Sequence, residues 1–288
     1  MDTRPRRSAL YMPGSNARAL DKAKAVAADV VIMDLEDAVA PDAKATARTQ
    51  VMAAVTAGGF GRREVVVRIN GLESPWGRDD LAAAAASKAD AVLVPKVSSA
   101  AMLAQVESGM AGAPAAMRLW AMIETPLGIL NLPEISAAAA VAGSRLACFV
   151  IGTNDLVKET RAELDADRTA ALYWLSATLT AAKAYGLDVL DGVYNDFKNA
   201  AGLLRECRQG RQLGMDGKTV IHPDQIAVAN DVFRPSLEEI AAAEKIVAAF
   251  DLPQNKGRGV ITLDGRMVEL LHAEMARRTL ALARAIGD

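Results

Sequence analysis

Eight short apolar runs, each followed by a stretch of helical character, constrain this chain more than any other feature. They occupy residues 8–12, 30–33, 65–70, 91–94, 119–123, 147–151, 188–190 and 218–221. Most lack the polar alternation of a half-exposed strand, so they read as strands of a sheet covered on both faces. Helical stretches between them make each neighbouring pair a parallel crossover unit. Eight such units favour a closed TIM-type (β/α)8 barrel over an open doubly wound sheet, and no Gly-x-Gly-x-x-Gly follows the first run. The length of 288 residues suits one barrel of about 250 residues with an addition. The expected division is a barrel over residues 1–233 and C-terminal helices with a small hairpin over 234–288, the latter expected to cover a neighbouring subunit's site. The hairpin is read from two short runs flanking the turn dipeptide Asp264-Gly265. The last helix carries Leu271, Met275, Leu282 and Ile286 as an apolar stripe that needs a partner surface, either the chain's own barrel or another subunit.

A barrel of this kind builds its site at the carboxyl ends of its strands. The residues there are Asp34, Glu36 and Asp37 after the second run, Arg68 late in the third, Lys96 after the fourth, Glu124 after the fifth and Asp155 after the sixth. Carboxylates near one rim with no His or Cys beside them suit a hard cation. Two direct carboxylate ligands with open positions is the Mg2+ pattern, because that ion keeps waters and leaves room for substrate oxygens. Glu124 and Asp155 sit at adjacent strand ends, which favours metal ligation over helix capping or pairing with arginine. Asp34, Glu36 and Asp37 suit either capping or support of the ligands from behind. Arg68 interrupts an apolar strand, where a charge needs a counter-ion, either a substrate anion or a structural partner. Lys96 suits a salt bridge to a rim acid better than a Schiff base. His222 reads as a hydrogen-bonded loop residue and His272 as a surface residue.

Composition narrows the partners. A formal charge of -2 and the absence of long Lys/Arg runs argue against nucleic acid. No stretch of eighteen apolar residues suggests a membrane span, and the first residues lack a signal-peptide core, so a cytoplasmic protein is expected. Cys148 and Cys207 read as reduced, inert thiols.

Several separated motifs also resemble a known family. Arg7-Ser8-Ala9-Leu10-Tyr11-Met12-Pro13-Gly14-Ser15, Asp34-Leu35-Glu36-Asp37-Ala38-Val39, Val67-Arg68-Ile69-Asn70, Leu93-Val94-Pro95-Lys96, Ile123-Glu124-Thr125 and Gly217-Lys218-Thr219-Val220-Ile221-His222-Pro223 are similar to those of the citrate lyase β-subunit-like family. That family includes malyl-CoA and citramalyl-CoA lyases, within the HpcH/HpaI aldolase superfamily. The resemblance implies a Mg2+-dependent barrel enzyme, trimeric or hexameric, that makes or breaks a C–C bond in a 3-hydroxyacyl-CoA thioester, giving acetyl-CoA and a 2-oxo acid. It puts Glu124 and Asp155 on the family's metal ligands and Arg68 on its substrate-binding, catalytic arginine. Glu36, Asp37 and Lys96 become supporting groups, and Tyr11 and Asn16 lie where relatives hold CoA or its acyl group. The lyases carry Gly-Lys-Met-Val-Asp near the C-terminus, whose Asp serves a neighbour's site as acid/base. Here the run is Gly265-Arg266-Met267-Val268-Glu269, which makes Glu269 the candidate catalytic acid/base with one methylene more. The resemblance also allows a citrate lyase complex subunit acting on a citryl-acyl carrier protein, a thioesterase, or a weakly active CoA-binding homologue.

Overall fold

The computed structural model describes residues 4–287. In chain order the elements are β1 (Ser8–Pro13), α1 (Ala17–Lys22), β2 (Val30–Asp34), α2 (Lys44–Ala57), β3 (Glu64–Arg68), α3 (Gly77–Ala85), β4 (Ala91–Val94), α4 (Ala100–Gly109), β5 (Arg118–Ile123), α5 (Pro126–Leu130) and α6 (Leu132–Ala137). There follow β6 (Leu146–Ile151), α7 (Thr153–Thr160), α8 (Leu172–Ala184), β7 (Asp188–Asp191), α9 (Ala200–Leu213), β8 (Gly217–Val220), α10 (Ile226–Phe233), α11 (Leu237–Asp251), β9 (Val260–Leu263), β10 (Arg266–Glu269) and α12 (Leu270–Ile286). Strands β1 to β8 form a closed parallel barrel in sequence order, with β8 returning to β1. The expected TIM-type barrel is therefore present, with all eight strands where the apolar runs lie.

Strand periodicity sorts the barrel interior. Ala9, Val30, Ile32, Val66, Ala91, Leu93, Trp120, Met122, Cys148, Val150 and Leu190 form one buried cluster, and they alternate along their strands as inward-facing residues must. Below this core, Arg6 pairs with Glu64 at 2.7 Å and Asp188 at 2.5 Å, and its guanidinium lies 4.8 Å from the Trp120 ring centroid. A buried charge at a barrel end is tolerable because both acids and the indole face receive it.

Two helices bear on the rim and its wall. The helix before β7 begins only at Leu172, because Arg168 takes a left-handed conformation and turns the chain first. Asp155 lies in the first turn of α7.

The chain divides into two compact units, Arg6–Val232 and a second that joins the residues up to Pro5 with those from Phe233 onward. In the second unit β9 and β10 pair antiparallel across Asp264 and Gly265, both at positive φ as a tight hairpin requires. The buried residues of α12 are Ala273, Ala276 and Ala283, small enough for close approach to α11. Leu271 and Met275, from the expected apolar stripe, are 49% and 64% exposed. Among the described residues no helix is long and apolar enough to cross a membrane.

Candidate active site

The inward rows of the barrel strands do not stop at the core. Two residues beyond Ile32 lies Asp34, beyond Val66 lies Arg68, beyond Met122 lies Glu124 and beyond Val150 lies Gly152. The same alternation that buries the aliphatic layer therefore carries an acid, a base, an acid and a gap to the carboxyl end of β2, β3, β5 and β6.

Arg68 is held rigidly. Its Nε and Nη2 donate to the two carboxylate oxygens of Asp34 at 2.7 and 2.6 Å, a bidentate pair buried on both sides. Its Nη1 lies 2.8 Å from Glu36 Oε2 and 3.2 Å from Asp37 Oδ2. The guanidinium covers the Tyr11 ring at 4.8 Å. Of the two roles left open for Arg68, a structural counter-ion is supplied by Asp34, while Nη1 faces the more exposed acids. Three acids and an aromatic face hold the arginine charged, its pKa well above normal in spite of burial.

Glu124 is 1% exposed. One oxygen accepts the Lys96 backbone N–H at 2.7 Å, a contact made possible because Lys96 sits at a φ of 55°. Among the described residues no donor reaches its other oxygen. Burial raises its pKa to about 8, and the neighbouring Glu36 and Asp155 add repulsion. Glu124 fits only because residue 152 is glycine, for a Cβ there would overlap the glutamate's Cβ and Oε2. Asp155 is half-buried and close enough to repel the Glu124 charge. Lys96 Nζ pairs with Glu36 Oε1 at 2.6 Å, the rim salt bridge expected for it. Burial raises the pKa of Glu36, an effect opposed by Arg68 and Lys96.

Two further residues shape this rim without having been expected there. Lys44 is buried and donates to the carbonyls of Leu35 and Glu36 at 2.9 and 2.7 Å. Asn70 donates to Leu35 O at 2.8 Å and to Asp80 Oδ2 at 2.6 Å. Together they fix the turn that presents Glu36. No composition signal marks Lys44, whereas Asn70 stands within the Val67-Arg68-Ile69-Asn70 motif.

Of the other expected residues, Tyr11 adjoins this rim beneath the Arg68 guanidinium. Asn16 is exposed, and its side chain accepts the Ala19 N–H at 3.1 Å as the N-cap of α1. Tyr11 lines the barrel interior with its hydroxyl 3.9 Å from Met122 Sδ. Glu269 belongs to the second unit, where it is the N-cap residue of α12 and its N–H donates to His272 Nδ1 at 3.0 Å. His272 is thus a capping residue rather than a plain surface one. His222 does hydrogen-bond locally, accepting the Asp224 N–H at 3.3 Å.

The rim sets Asp34, Glu36, Asp37, Glu124 and Asp155 against Arg68, Lys96 and Lys44, a formal excess of two negative charges. Among the described residues no three His, Cys, Asp or Glu side chains are gathered as a complete metal cage. The donor set at Glu124 and Asp155, two carboxylates with open lone pairs and no nitrogen or sulfur, fits an ion that binds through few protein oxygens. A divalent cation would cancel the excess charge.

A second ionic cluster, unanticipated, lies within the wall. Lys218 Nζ, fully buried, donates to Asp191 Oδ2 at 3.0 Å, Glu206 Oε2 at 2.8 Å and Gly192 O at 2.6 Å. Arg168 Nη1 reaches both oxygens of Asp191 at 2.8 and 3.0 Å. This cluster braces the connection after β7 and the segment after α7 that Arg168 ends.

Residues 7–223 match the family described as HpcH/HpaI aldolase/citrate lyase. The chain belongs to this family. It is 49% identical over 98% of its length to a (3S)-malyl-CoA thioesterase of Cereibacter sphaeroides, of which 96% is covered. It is 36% identical over 99% of its length to the citrate lyase subunit beta of Escherichia coli, of which 95% is covered. The crystal structure of protein CitE from Mycobacterium tuberculosis in complex with magnesium, acetoacetate and coenzyme A superposes with a TM-score of 0.77 at 31% identity, covering 100% of both chains. The family resemblance read from the motifs is thus established across the barrel.

Proposed function

We propose that this protein is a Mg2+-dependent enzyme of malyl-CoA or a closely related 3-hydroxyacyl-CoA, and that its main reaction is hydrolysis of the thioester. The observation that carries the metal reading is the pair Glu124 and Asp155 at adjacent strand ends, where Lys96 N–H takes one Glu124 oxygen and leaves the other open among the described residues. The preference for hydrolysis rests on the 49% identity to a malyl-CoA thioesterase.

Glu124 and Asp155 would hold the ion, which when bound supplies a Lewis acid for the substrate's hydroxyl and carboxylate oxygens. The side chains do the rest. Asp34 fixes the Arg68 guanidinium, so its positive charge faces the rim without reorganisation and can stabilise an anionic thioester oxygen. Lys96 adds a second cation on the other side of Glu36. Tyr11 and Met122 close the floor beneath Arg68 and exclude water from below. In hydrolysis a water oxygen bonds to the thioester carbon, the C–S bond breaks, and the water's proton goes to the thiolate, giving malate and CoA.

A second reading is favoured by the 36% identity to a citrate lyase subunit: the same site cleaves the C2–C3 bond. The hydroxyl proton is then lost, a 2-oxo acid leaves, and the enolate of acetyl-CoA takes a proton at carbon. Glu269 is proposed as the acid/base for that step, in the site of a neighbouring subunit of a homo-oligomer. The exposed apolar side chains of Met267, Leu271 and Met275 support such an assembly.

The test follows free thiol and acetyl-CoA together after malyl-CoA is added to the purified chain with Mg2+. Hydrolysis releases CoA and malate in equal amounts without acetyl-CoA. Acetyl-CoA with glyoxylate points to the lyase, and dependence on an added acyl carrier protein to a citrate lyase subunit. Turnover unaffected by EDTA and by Glu124→Gln would refute the metal site.

A further inference from the structure

The first turn of a helix carries N–H groups without intrahelical partners, and a side chain at the N-cap usually receives one of them. In α7, whose first turn carries Asp155, the N-cap is Gly152 and no side chain caps the turn. The turn is seated instead by the loop after β7. Gly192 is buried against Thr153, the first residue of α7: a Cβ at 192 would stand 2.7 Å from Thr153 Oγ1, 3.1 Å from its Cγ2 and 2.9 Å from Ile151 O. Three residues on, the Asn195 and Asn154 side chains exchange hydrogen bonds at 2.8 and 3.3 Å. The residues on either side of Gly152 and the neighbour of Asp155 are thus all touched by one loop.

That loop is itself held from behind. The Gly192 N–H donates to Asp191 Oδ1 at 2.8 Å, and the Gly192 carbonyl accepts Lys218 Nζ at 2.6 Å. Thr219 Oγ1 donates to Asp191 O at 2.9 Å, and Gln225 Nε2 to Tyr194 O at 2.9 Å. Arg168, from the segment that leaves α7, donates to both oxygens of the same Asp191. The chain entering α7 and the chain leaving it are therefore referred to one buried carboxylate.

Lys218, Arg168, Asp191 and Glu206 balance as two cations and two anions. A buried cluster of this kind gives little stability beyond that of apolar side chains of equal volume, because desolvation offsets the attraction. Here its hydrogen bonds converge on both polar groups of Gly192, the residue against which α7 begins. The cluster fixes a position.

We propose that Lys218 and Asp191 are positioning residues for Asp155: they lock Gly192, and Gly192 with Asn195 seats the turn that carries the acid. This rests on the reading of Asp155 as a Mg2+ ligand. Mg2+ affinity by calorimetry, hydrogen exchange of the α7 amides and the unfolding midpoint are measured on the full chain. Groups that orient a metal ligand are worth about 10- to 100-fold in affinity. Gly192→Ala and Lys218→Met therefore weaken Mg2+ binding about tenfold or more and speed exchange in the first turn of α7. Gly192 is not at positive φ, so the alanine acts by contact alone, and adding Thr153→Ala restores part of the lost affinity. Asn195→Ala removes only an exposed amide pair; it weakens Mg2+ severalfold while the midpoint barely moves. Lys183→Met, which breaks an ion pair with Asp216 at the amino end of the barrel, lowers the midpoint and leaves Mg2+ affinity unchanged. Where Asp155→Asn loses Mg2+, unchanged affinity in Gly192→Ala and Asn195→Ala overturns the proposal, as does an equal loss in Lys183→Met. Where Asp155→Asn binds Mg2+ like the wild type, the ligand reading fails, and exchange in α7 decides the seating: faster exchange sustains it and unchanged exchange overturns it.

Discussion

Replacing Gly152 with alanine tests the candidate metal site at its tightest point. Gly152 has φ of -100° and ψ of 82°, so an L residue there meets no left-handed strain and the cost is steric alone. The added Cβ overlaps Glu124 Cβ and Oε2 and stands 3.2 Å from its Cδ. A clash with the glutamate's Cβ cannot be relieved by swinging a flexible end away. Either Glu124 tips, or β5 and β6 part where Gly152 N donates to Ile123 O at 3.1 Å. Overpacking of this kind costs about 1–3 kcal/mol, which lowers the unfolding midpoint by roughly 2–5 °C in a chain of this size. The functional effect is larger, since a displacement of about 1 Å in a reacting constellation costs roughly a hundredfold in rate. Mg2+ titration by calorimetry, thermal unfolding and malyl-CoA turnover at saturating Mg2+ are measured side by side. The expected result is a modest fall in midpoint with a loss of Mg2+ affinity and rate of about two orders of magnitude. A Gly152→Ala protein that keeps wild-type Mg2+ affinity and turnover would show that Glu124, as held here, is not a ligand.

Three other outcomes follow from the same geometry. Glu124, with a pKa of about 8 against an ordinary 4.5, contributes stability that is fully present below pH 4.5 and lost as pH rises through 8. Denaturant unfolding without metal should therefore lose about 5 kcal/mol from this group across that window, and Glu124→Gln should remove that dependence; equal slopes for the two proteins would disprove it. Lys218→Met leaves Asp191 buried with Arg168 as its remaining cation, at an expected cost of about 3–5 kcal/mol; urea midpoints shifted by less than a third of that would show the cluster to be loosely coupled. Glu269→Asp restores the shorter acid of the lyase motif, and the ratio of acetyl-CoA to free CoA released from malyl-CoA should rise severalfold. A product ratio that does not move would remove Glu269 from the proton-transfer step.

The barrel was legible because its signal is repetitive: buried strands announce themselves as apolar runs, and eight of them in alternation with helices leave few topologies. The rim acids were legible for the same reason, as each ends such a run. What escaped was whatever depends on contacts between distant elements. Lys44 reads as an ordinary helix lysine until α2 brings its amine under the Leu35 and Glu36 carbonyls. Lys218 looks like a strand residue of a family motif, yet its position is explained by Asp191 and Glu206. Asn16, which the family resemblance puts near CoA or its acyl group, uses its side-chain oxygen to cap α1. Along α12 the alanines Ala273, Ala276 and Ala283 are the buried residues, while Leu271 and Met275 of the apolar stripe stay exposed and Leu282 and Ile286 half-buried.

One property of strands links the core to the chemistry. Side chains alternate with a period of two, so a residue placed two beyond the last aliphatic layer necessarily points up the same interior column. Asp34, Arg68 and Glu124 occupy that position on three strands, and each inherits the rigidity of the packed layer below it. The fourth column, on β6, ends in Gly152, and the missing side chain is what lets Glu124 lean toward Asp155. Groups mounted this way are costly to desolvate and have little freedom to relax. Their mutual repulsion, rather than an abundance of ligands, is what would draw a cation to the rim. Hydrolysis and carbon–carbon cleavage would then share this preorganised charge and diverge only in which atom finally receives the proton.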